Sequence, residues 1–269
     1  MESGFPILGL FGAVLMGLTL GVFGAGGSIL TVPILVFLFH FPPVLAAHYS
    51  LFIVGMVSAY GAWSGLRGSE IRIREVLAFA APAMLGMFLI KKLIIPSLPE
   101  KIFWDGHFLF SLNQATLAIF GCFMLTASLS MIFLSVRDQS NLKERGLLDQ
   151  LVLVFVGSLV GLLTGFVGAG GGFLIVPALV FLARMPVKDA TRASLFVIAL
   201  NSIWGFTVGS KGWDQIPFSI LLFMMSVAMF GMFLGIRLQS RLPAARLKPA
   251  FGVFVLVMGI YILYRSSHY

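Results

Sequence analysis

The residues of this sequence that could do chemistry lie in two glycine-rich stretches. The first covers 24–28 (GAGGS) and the second covers 168–172 (GAGGG). Each interrupts a strongly apolar run, so each is expected to end one helix and open the next. A glycine-opened helix start exposes backbone N–H groups with partial positive charge, and no Cβ keeps a ligand away from them. The chemistry that this predicts is the binding of an anion through its oxygens.

Polar residues in the apolar runs that follow add further candidate contacts. Ser50 and Ser194 occupy equivalent positions after the two stretches, and Asn201 lies in the middle of an apolar run, where an amide needs a partner. His48 and Arg192 are also equivalent to each other, and they are candidates for proton coupling and for an anion contact. The predicted substrate-binding set is Gly26, Gly27, Ser28, Thr31, Ser50, Gly170, Gly171, Gly172, Ser194 and Asn201.

Each of these residues also has a plainer interpretation. The glycines could serve only close helix crossing, and the serine hydroxyls could bond only to the carbonyl one turn earlier. Arg192 could be a cytoplasmic anchor and His48 an interfacial residue. Consecutive glycines before a truncated helix favour binding over simple crossing. A dinucleotide fingerprint is excluded, because the third glycine would fall at Ile29 and an apolar span precedes the motif.

The two stretches belong to an internal duplication. Residues 17–38 aligned on 161–182 match at 14 of 22 positions without a gap. Polar and glycine positions further on recur at the same offset, so the repeat continues beyond the motif. Ten apolar segments can be drawn along the chain, at roughly 5–23, 28–39, 44–66, 75–95, 111–136, 149–167, 172–183, 190–210, 216–236 and 247–265.

The composition places these segments in a membrane. Apolar residues make up 59% of the chain and charged residues only 10%, which is too few for a water-soluble surface. Segments two and seven are too short to cross a bilayer, so each is a half-helix or one arm of a re-entrant hairpin. The predicted fold is an all-α polytopic membrane protein with two inverted-topology repeats of five segments each, since an odd number of segments turns the second repeat upside down.

The distribution of basic residues supports this topology. The net charge is +8, and 13 of the 18 Lys and Arg residues fall in one alternating set of loops. The positive-inside rule places that set in the cytoplasm and both termini outside. The basic character is explained by membrane topology and lipid, so no nucleic-acid partner is predicted. The predicted divisions are a first repeat at 1–136, a cytoplasmic linker at 137–149 and a second repeat at 150–269.

Other kinds of site find little support in the sequence. Cys122 is the single cysteine, so no intramolecular disulfide and no thiol-based metal site can form, and no metal or cofactor is predicted. A membrane enzyme would need a nucleophile, a metal cluster or an acid–base pair within the bilayer, and none is visible. Short, glycine-interrupted segments at matching places in two halves are typical of secondary transporters. An anion channel using the same pore is the alternative.

The doubled pattern Gly-x-Gly-Gly-(Gly/Ser)-x-Leu-x-Val-Pro, present at 24–33 and at 168–177, resembles the sulfite exporter TauE/SafE family, also called the toluene-sulfonate uptake permease family. The resemblance covers about 5–265. It implies transport of a small sulfur-containing anion, such as sulfite, a sulfonate or sulfoacetate, across a prokaryotic inner membrane. Neither the direction of transport, nor coupling to a proton or to sodium, nor the oligomeric state is predicted.

Overall fold

The molecule is almost entirely helical. The computed structural model describes residues 7–24, 27–65, 73–94, 97, 101–104, 107–133, 147–167, 175–176, 179, 187–209, 217–239 and 244–266. Within these residues the helices are α1 (Ile7–Phe23), α2 (Ser28–Pro33), α3 (Pro43–Gly65), α4 (Ile73–Leu89), α5 (Leu112–Phe133), α6 (Leu147–Val167), α7 (Val187–Gly209), α8 (Phe218–Gln239) and α9 (Ala244–Ser266).

Nine of the ten predicted segments correspond to helices of the structure. The seventh, 172–183, lies almost wholly outside the described residues, of which 175–176 and 179 are helical. Most of the predicted linker 137–149 also lies outside them. The division into two repeats with a cytoplasmic linker therefore stays a prediction.

A β-hairpin, which the sequence analysis treated as a loop, connects α4 to α5. Strand β1 (Lys101–Trp104) pairs antiparallel with β2 (His107–Ser111), with a register irregularity between Ile102 and Phe103. The sequence signal was present, because the dipeptide Asp-Gly at 105–106 is a strong hairpin turn sequence between residues of high β propensity.

Four described helical stretches are long and apolar enough to cross a membrane. They are Pro43–Ser64, Val76–Ile94, Asp189–Gly209 and Phe218–Gln239. The outer surface of the bundle is apolar as well, and Phe155, Phe11 and Trp63 each expose about 70% of their surface. Such exposed aromatic side chains are expected on a surface that faces lipid and not water.

The helices pack in pairs, and each pair joins one helix from each predicted repeat. The pairs are α1 with α8, α4 with α6, α3 with α7, and α5 with α9. Glycine allows direct backbone contact: a Cβ at Gly17 would collide with the carbonyl group of Ala228. The same collision would occur between Gly161 and Ala83, which are the repeat counterparts of those residues. One contact is therefore made twice, as expected when a two-fold rotation exchanges the halves.

The central pair, α3 and α7, runs antiparallel. A side chain at Gly61 would contact Leu195, and one at Gly205 would contact Leu51. Residue numbers therefore increase along α3 in the direction in which they decrease along α7. The two contacts are again repeat counterparts of each other. Equivalent helices that run in opposite directions are what the predicted inverted repeat requires. The inverted repeat itself and its orientation relative to the membrane stay predictions.

The short second segment begins immediately after the first glycine stretch. Helix α2 starts at Ser28 and continues beyond Pro33 as a π-helical turn, Ile34–Leu38. Pro33 has no N–H group to complete the regular ladder, which accounts for a change of helix type at this point. The combined stretch Ser28–Leu38 is too short to span a bilayer, as predicted from the sequence.

Candidate functional site

The first glycine stretch folds α2 back onto α1. Gly24 has a φ of 73°, which glycine adopts without steric cost. Gly27 lies directly on the α1 backbone, where a Cβ would collide with the carbonyl oxygen of Met16. The plainer interpretation therefore holds for Gly27, whose missing side chain is needed for close packing. The role of its N–H group in anion binding stays a prediction.

Two predicted contacts on α2, Ser28 and Thr31, are completely buried. The hydroxyl of Thr31 has no hydrogen-bond partner within the described part of the chain. The other predicted glycines, Gly26 and 170–172, lie outside the described residues. The cradle formed by two glycine-opened helix starts therefore stays a prediction for both halves.

Ser194 brings the second half of the chain to the glycine stretch of the first half. Its hydroxyl oxygen lies 3.5 Å from the carbonyl oxygen of Gly24 and donates a 2.7 Å hydrogen bond to the carbonyl of Thr191. A Cβ at Gly24 would also collide with Thr191. The start of α7 is thus packed into the break between α1 and α2.

The serine pair also shows the plainer behaviour that the sequence allowed. Ser50 donates a 2.8 Å bond to the carbonyl of Ala47, which matches the bond between Ser194 and Thr191. Each hydroxyl therefore satisfies a carbonyl one turn earlier in its own helix. Each proton is thus already donated, so either hydroxyl would have to turn away from its carbonyl before it could donate to an anion's oxygen.

A buried polar group lies on the central helix pair without the partners it needs. Asn201 is fully buried, and neither end of its side-chain amide has a hydrogen-bond partner among the described residues. The hydroxyls of Ser58 and Ser202 are in the same situation. Ser202 lies where α7 crosses α3, since a Cβ added at Gly55 of α3 would be 3.2 Å from the Cβ of Ser202. Asn201 was a predicted contact, and the structure adds that the hydroxyls of Ser58 and Ser202 also have no hydrogen-bond partner among the described residues.

His48 faces the inside of the bundle. Its ring stacks on Phe206 of α7, with ring centroids 4.8 Å apart and planes 15° apart. Its Nδ1 lies 3.1 Å from the Nζ of Lys91. The side chain is partly buried and contacts two other elements of the bundle, and its role, in coupling or at the interface, stays a prediction.

Lys91 is the residue that the sequence analysis missed. The sequence analysis gave it no role, and the structure places it in a π-helical turn, Ile90–Ile94, that continues α4. Lys91 is partly buried, while its neighbour Lys92 is exposed. The signal was available, because both lysines fall inside the predicted segment 75–95, and an ionisable residue within a span is a functional candidate.

Arg192 lies near the start of α7 and is partly buried. It follows Thr191, the residue in contact with Gly24. The repeat counterparts Arg192 and His48 therefore lie towards opposite ends of the antiparallel pair α3 and α7. A basic side chain is therefore found near each end of the central pair, and a role of either one in coupling or anion contact stays a prediction.

Comparisons with known proteins agree with the resemblance. A family model described as "Sulfite exporter TauE/SafE" matches residues 9–262. A "Probable membrane transporter protein" of Xylella fastidiosa (strain Temecula1) is 32% identical over 266 residues, covering 94% of this chain and 92% of the relative. A protein of the same description from Haemophilus influenzae is 28% identical over 272 residues, covering 95% and 97%.

A more distant relative extends the range of organisms. The "Probable membrane transporter protein YdhB" of Bacillus subtilis is 25% identical over 256 residues, covering 93% of this chain and 97% of the relative. No solved structure gives a significant match to the chain. All three relatives are similar along nearly their whole length and along nearly the whole of this chain.

Proposed function

Because this chain belongs to the sulfite exporter TauE/SafE family, whose relatives are described as membrane transporters and not as enzymes, we propose that it is a secondary transporter of a small sulfur-containing anion. The substrate is a sulfite, a sulfonate or a sulfoacetate-like molecule. It binds between the helices and crosses a prokaryotic inner membrane by alternating access.

Asn201 is the observation that carries this proposal. An amide without partners in a low-dielectric interior costs several kcal/mol. That cost is removed when a solute or water supplies the missing hydrogen bonds. The amide nitrogen and the hydroxyls of Ser58 and Ser202 are donors that suit the oxygens of a sulfonate or sulfite. Their position on α3 and α7 supports a binding site between the two halves.

The glycine stretches supply the electropositive part of this site. The N–H groups of Gly26, Gly27 and Ser28, and of 170–172 in the second half, bind the anion as helix starts do. The contact between Ser194 and Gly24 supports this arrangement, because it brings a predicted contact of one half to the motif of the other.

Each group of helices that moves as a unit during transport contains helices from both halves of the sequence. Tight glycine contacts attach α1 to α8 and α4 to α6. The buried apolar side chains form two clusters, one that includes α1, α2 and α8 and one built mainly on α4, α6 and α7. If residues 1–136 moved as one unit against 150–269, the close helix contacts at both glycine interfaces would be disrupted. The two clusters move against each other instead.

The test is uptake of radiolabelled sulfoacetate, sulfite or sulfate into liposomes containing the purified protein. Saturable uptake that depends on the protein supports the proposal, and uptake that stays linear with concentration supports an anion channel. Binding is measured separately by thermal stabilisation against the same anions with taurine and acetate for comparison, because a ligand of the folded state raises its stability. Absence of stabilisation and of uptake with every anion would contradict the proposal.

A further inference from the structure

Two hydroxyl groups on the central helix pair differ from other hydroxyls described on the same helices. Four side chains donate to a carbonyl one turn earlier in their own helix, at 2.7–2.9 Å: Ser50 and Ser64 on α3, and Ser194 and Thr207 on α7. Ser58 on α3 and Ser202 on α7 are fully buried, yet neither makes this bond. Their hydroxyls are therefore left available to a partner outside their own helix.

The packing of α3 on α7 brings these two hydroxyls to the level of Asn201. Two contacts define the register of the antiparallel pair, Gly55 with Ser202 and Gly61 with Leu195. Ser58 lies halfway between the two glycines and is therefore level with 198–199 on α7. At the helical rise this is about 4 Å along the axis from Asn201. The three polar side chains thus lie within about one helical turn of one another.

The amide of Asn201 lacks a partner at both of its ends. The side chain is fully buried, and neither Nδ2 nor Oδ1 has a hydrogen-bond partner among the described residues. The nitrogen carries two donors, whereas the oxygen only accepts. Since both ends are in the same situation, turning the amide over would leave the requirement unchanged. A ligand that relieves the whole amide must present an acceptor and a donor.

An anion with acceptor oxygens alone meets only half of this requirement. The oxygens of a sulfonate accept from Nδ2 of Asn201 and from the hydroxyls of Ser58 and Ser202. The same oxygens placed beside Oδ1 would bring two acceptors together and leave the amide oxygen unpaired. Sulfate and sulfoacetate have only acceptors at neutral pH. A hydroxyl group on the carbon chain of a sulfonate supplies the missing donor.

The two halves of the chain are unequal at this point. Ser58 and Ser202 are repeat counterparts of each other, whereas the counterpart of Asn201 is Val57, a buried apolar residue. The level of the crossing thus has hydroxyls from both halves but an amide from the second half alone. A ligand held there is oriented, with its donor towards Asn201.

We infer that Asn201 makes the site selective for an anion that also carries a hydrogen-bond donor, and that the substrate class is a short hydroxyalkanesulfonate. The inference rests on the proposed function and narrows its substrate. The sulfonate oxygens accept from Nδ2 and from the two serine hydroxyls, and the hydroxyl of the substrate donates to Oδ1. A site built to bond a substrate hydroxyl rejects the analogue that lacks it.

The test compares two sulfonates of equal charge and nearly equal size. 2-Hydroxyethanesulfonate and propane-1-sulfonate differ only in a hydroxyl group that replaces a methyl group. Binding to the purified wild-type protein is measured by titration and by thermal stabilisation. The hydroxyl compound should bind at least about tenfold more tightly, because the methyl compound leaves Oδ1 unpaired. The attraction of the sulfonate charge is common to both ligands and cancels in the ratio.

Variants assign the preference to one side chain. Asn201→Val, which introduces the residue of the first half, should bind the hydroxyl compound no more tightly than the methyl compound. Ser64→Ala is the control, because Ser64 lies on α3 and already donates to the carbonyl of Gly61. It should keep the wild-type ratio of affinities. The comparison of ligands on the wild type does not depend on the folding of any variant.

The outcomes distinguish this inference from the function on which it rests. Equal affinities in the wild type, or tighter binding of propane-1-sulfonate, overturn the inference and leave the transporter proposal standing. Binding of sulfate or sulfoacetate without binding of the hydroxyl compound does the same, as does a preference that persists in Asn201→Val. If no anion stabilises the wild type and none is taken up, both proposals fail.

Discussion

The hydroxyl of Ser194 lies 3.5 Å from the carbonyl oxygen of Gly24, although 170 residues separate them along the chain. The contact joins α7 to the break between α1 and α2, where the first predicted helix start opens. The start of α7, in the second half of the chain, therefore packs against Gly24 in the first half.

Replacing Ser194 by Ala should reduce uptake about tenfold. The melting temperature should stay nearly unchanged, because the 2.7 Å hydrogen bond goes to a carbonyl one turn earlier in the same helix and adds little to its stability. Ser226→Ala is the control, since Ser226 makes the same type of bond on an exposed face of α8. The measurement is initial uptake in liposomes. Equal rates for the two variants would contradict a role for Ser194 at the site.

The glycine stretch can be tested at Ser28, but not cleanly at Gly27. Any side chain at Gly27 collides with the α1 backbone, so Gly27→Ala should lower the melting temperature by several degrees. Ser28→Ala removes a buried hydroxyl without adding volume, and should lower anion affinity with a much smaller effect on folding. Thermal melts with and without anion separate the two effects. A Gly27→Ala protein as stable as the wild type would contradict the observed packing.

Asn201 should show a conflict between stability and function. Replacement by Leu, which is similar in size, removes an amide that has no partners in the described structure and whose burial costs about 1–3 kcal/mol. We expect an unchanged or raised melting temperature together with loss of uptake. If Asn201→Leu lowers stability and keeps transport, the amide serves folding and the proposed site is wrong.

The reciprocal glycine contacts predict paired effects of mutation. Gly17→Ala and Gly161→Ala each place a methyl group on a helix carbonyl, at Ala228 and Ala83 respectively. Each should destabilise the protein by about 1–3 kcal/mol. Gly12→Ala is the control, because its methyl group would meet only the side chains of Ile34 and Leu38. Melting temperatures in detergent test this, and a Gly12→Ala effect as large as the others would contradict it.

The inverted topology is open to a labelling test. Cys122 is first replaced by Ser, because it is exposed. A single cysteine is then placed at Gly68 or at its repeat counterpart Gly212. In intact cells an impermeant maleimide should label the cysteine at 212 and not the one at 68, since the positive-inside rule places their loops on opposite faces. Labelling of both positions from the same side would contradict an inverted repeat.

Local patterns predicted most of the helices correctly. The apolar runs give the nine described helices because hydropathy and length are properties of contiguous residues. The truncation of the second segment also follows from neighbours in sequence, since glycines precede it and Pro33 interrupts it. The hairpin at 101–111 was missed although its turn dipeptide was visible, because the region was treated only as a connection between spans.

Lys91 shows what local patterns leave open. Its neighbour Lys92 has the same charge and the same hydropathy, yet one side chain contacts His48 and the other is exposed. The difference depends on the angular position of each residue on α4 relative to α3 and α7. That position follows from how the helices pack, so no count of charges in loops could assign it.

The sequence by itself determined the class of protein, the duplication and the two motifs, because these depend on composition and on the order of residues. Only the tertiary structure decided that Gly27 packs on α1, that the Asn201 amide has no partner among the described residues, and that Lys91 contacts His48. The physical reason is that each of these facts depends on how helices pack against one another, and local sequence patterns do not specify that packing. The main helix contacts of the bundle are those of α3 with α7 and the glycine interfaces of α1 with α8 and of α4 with α6.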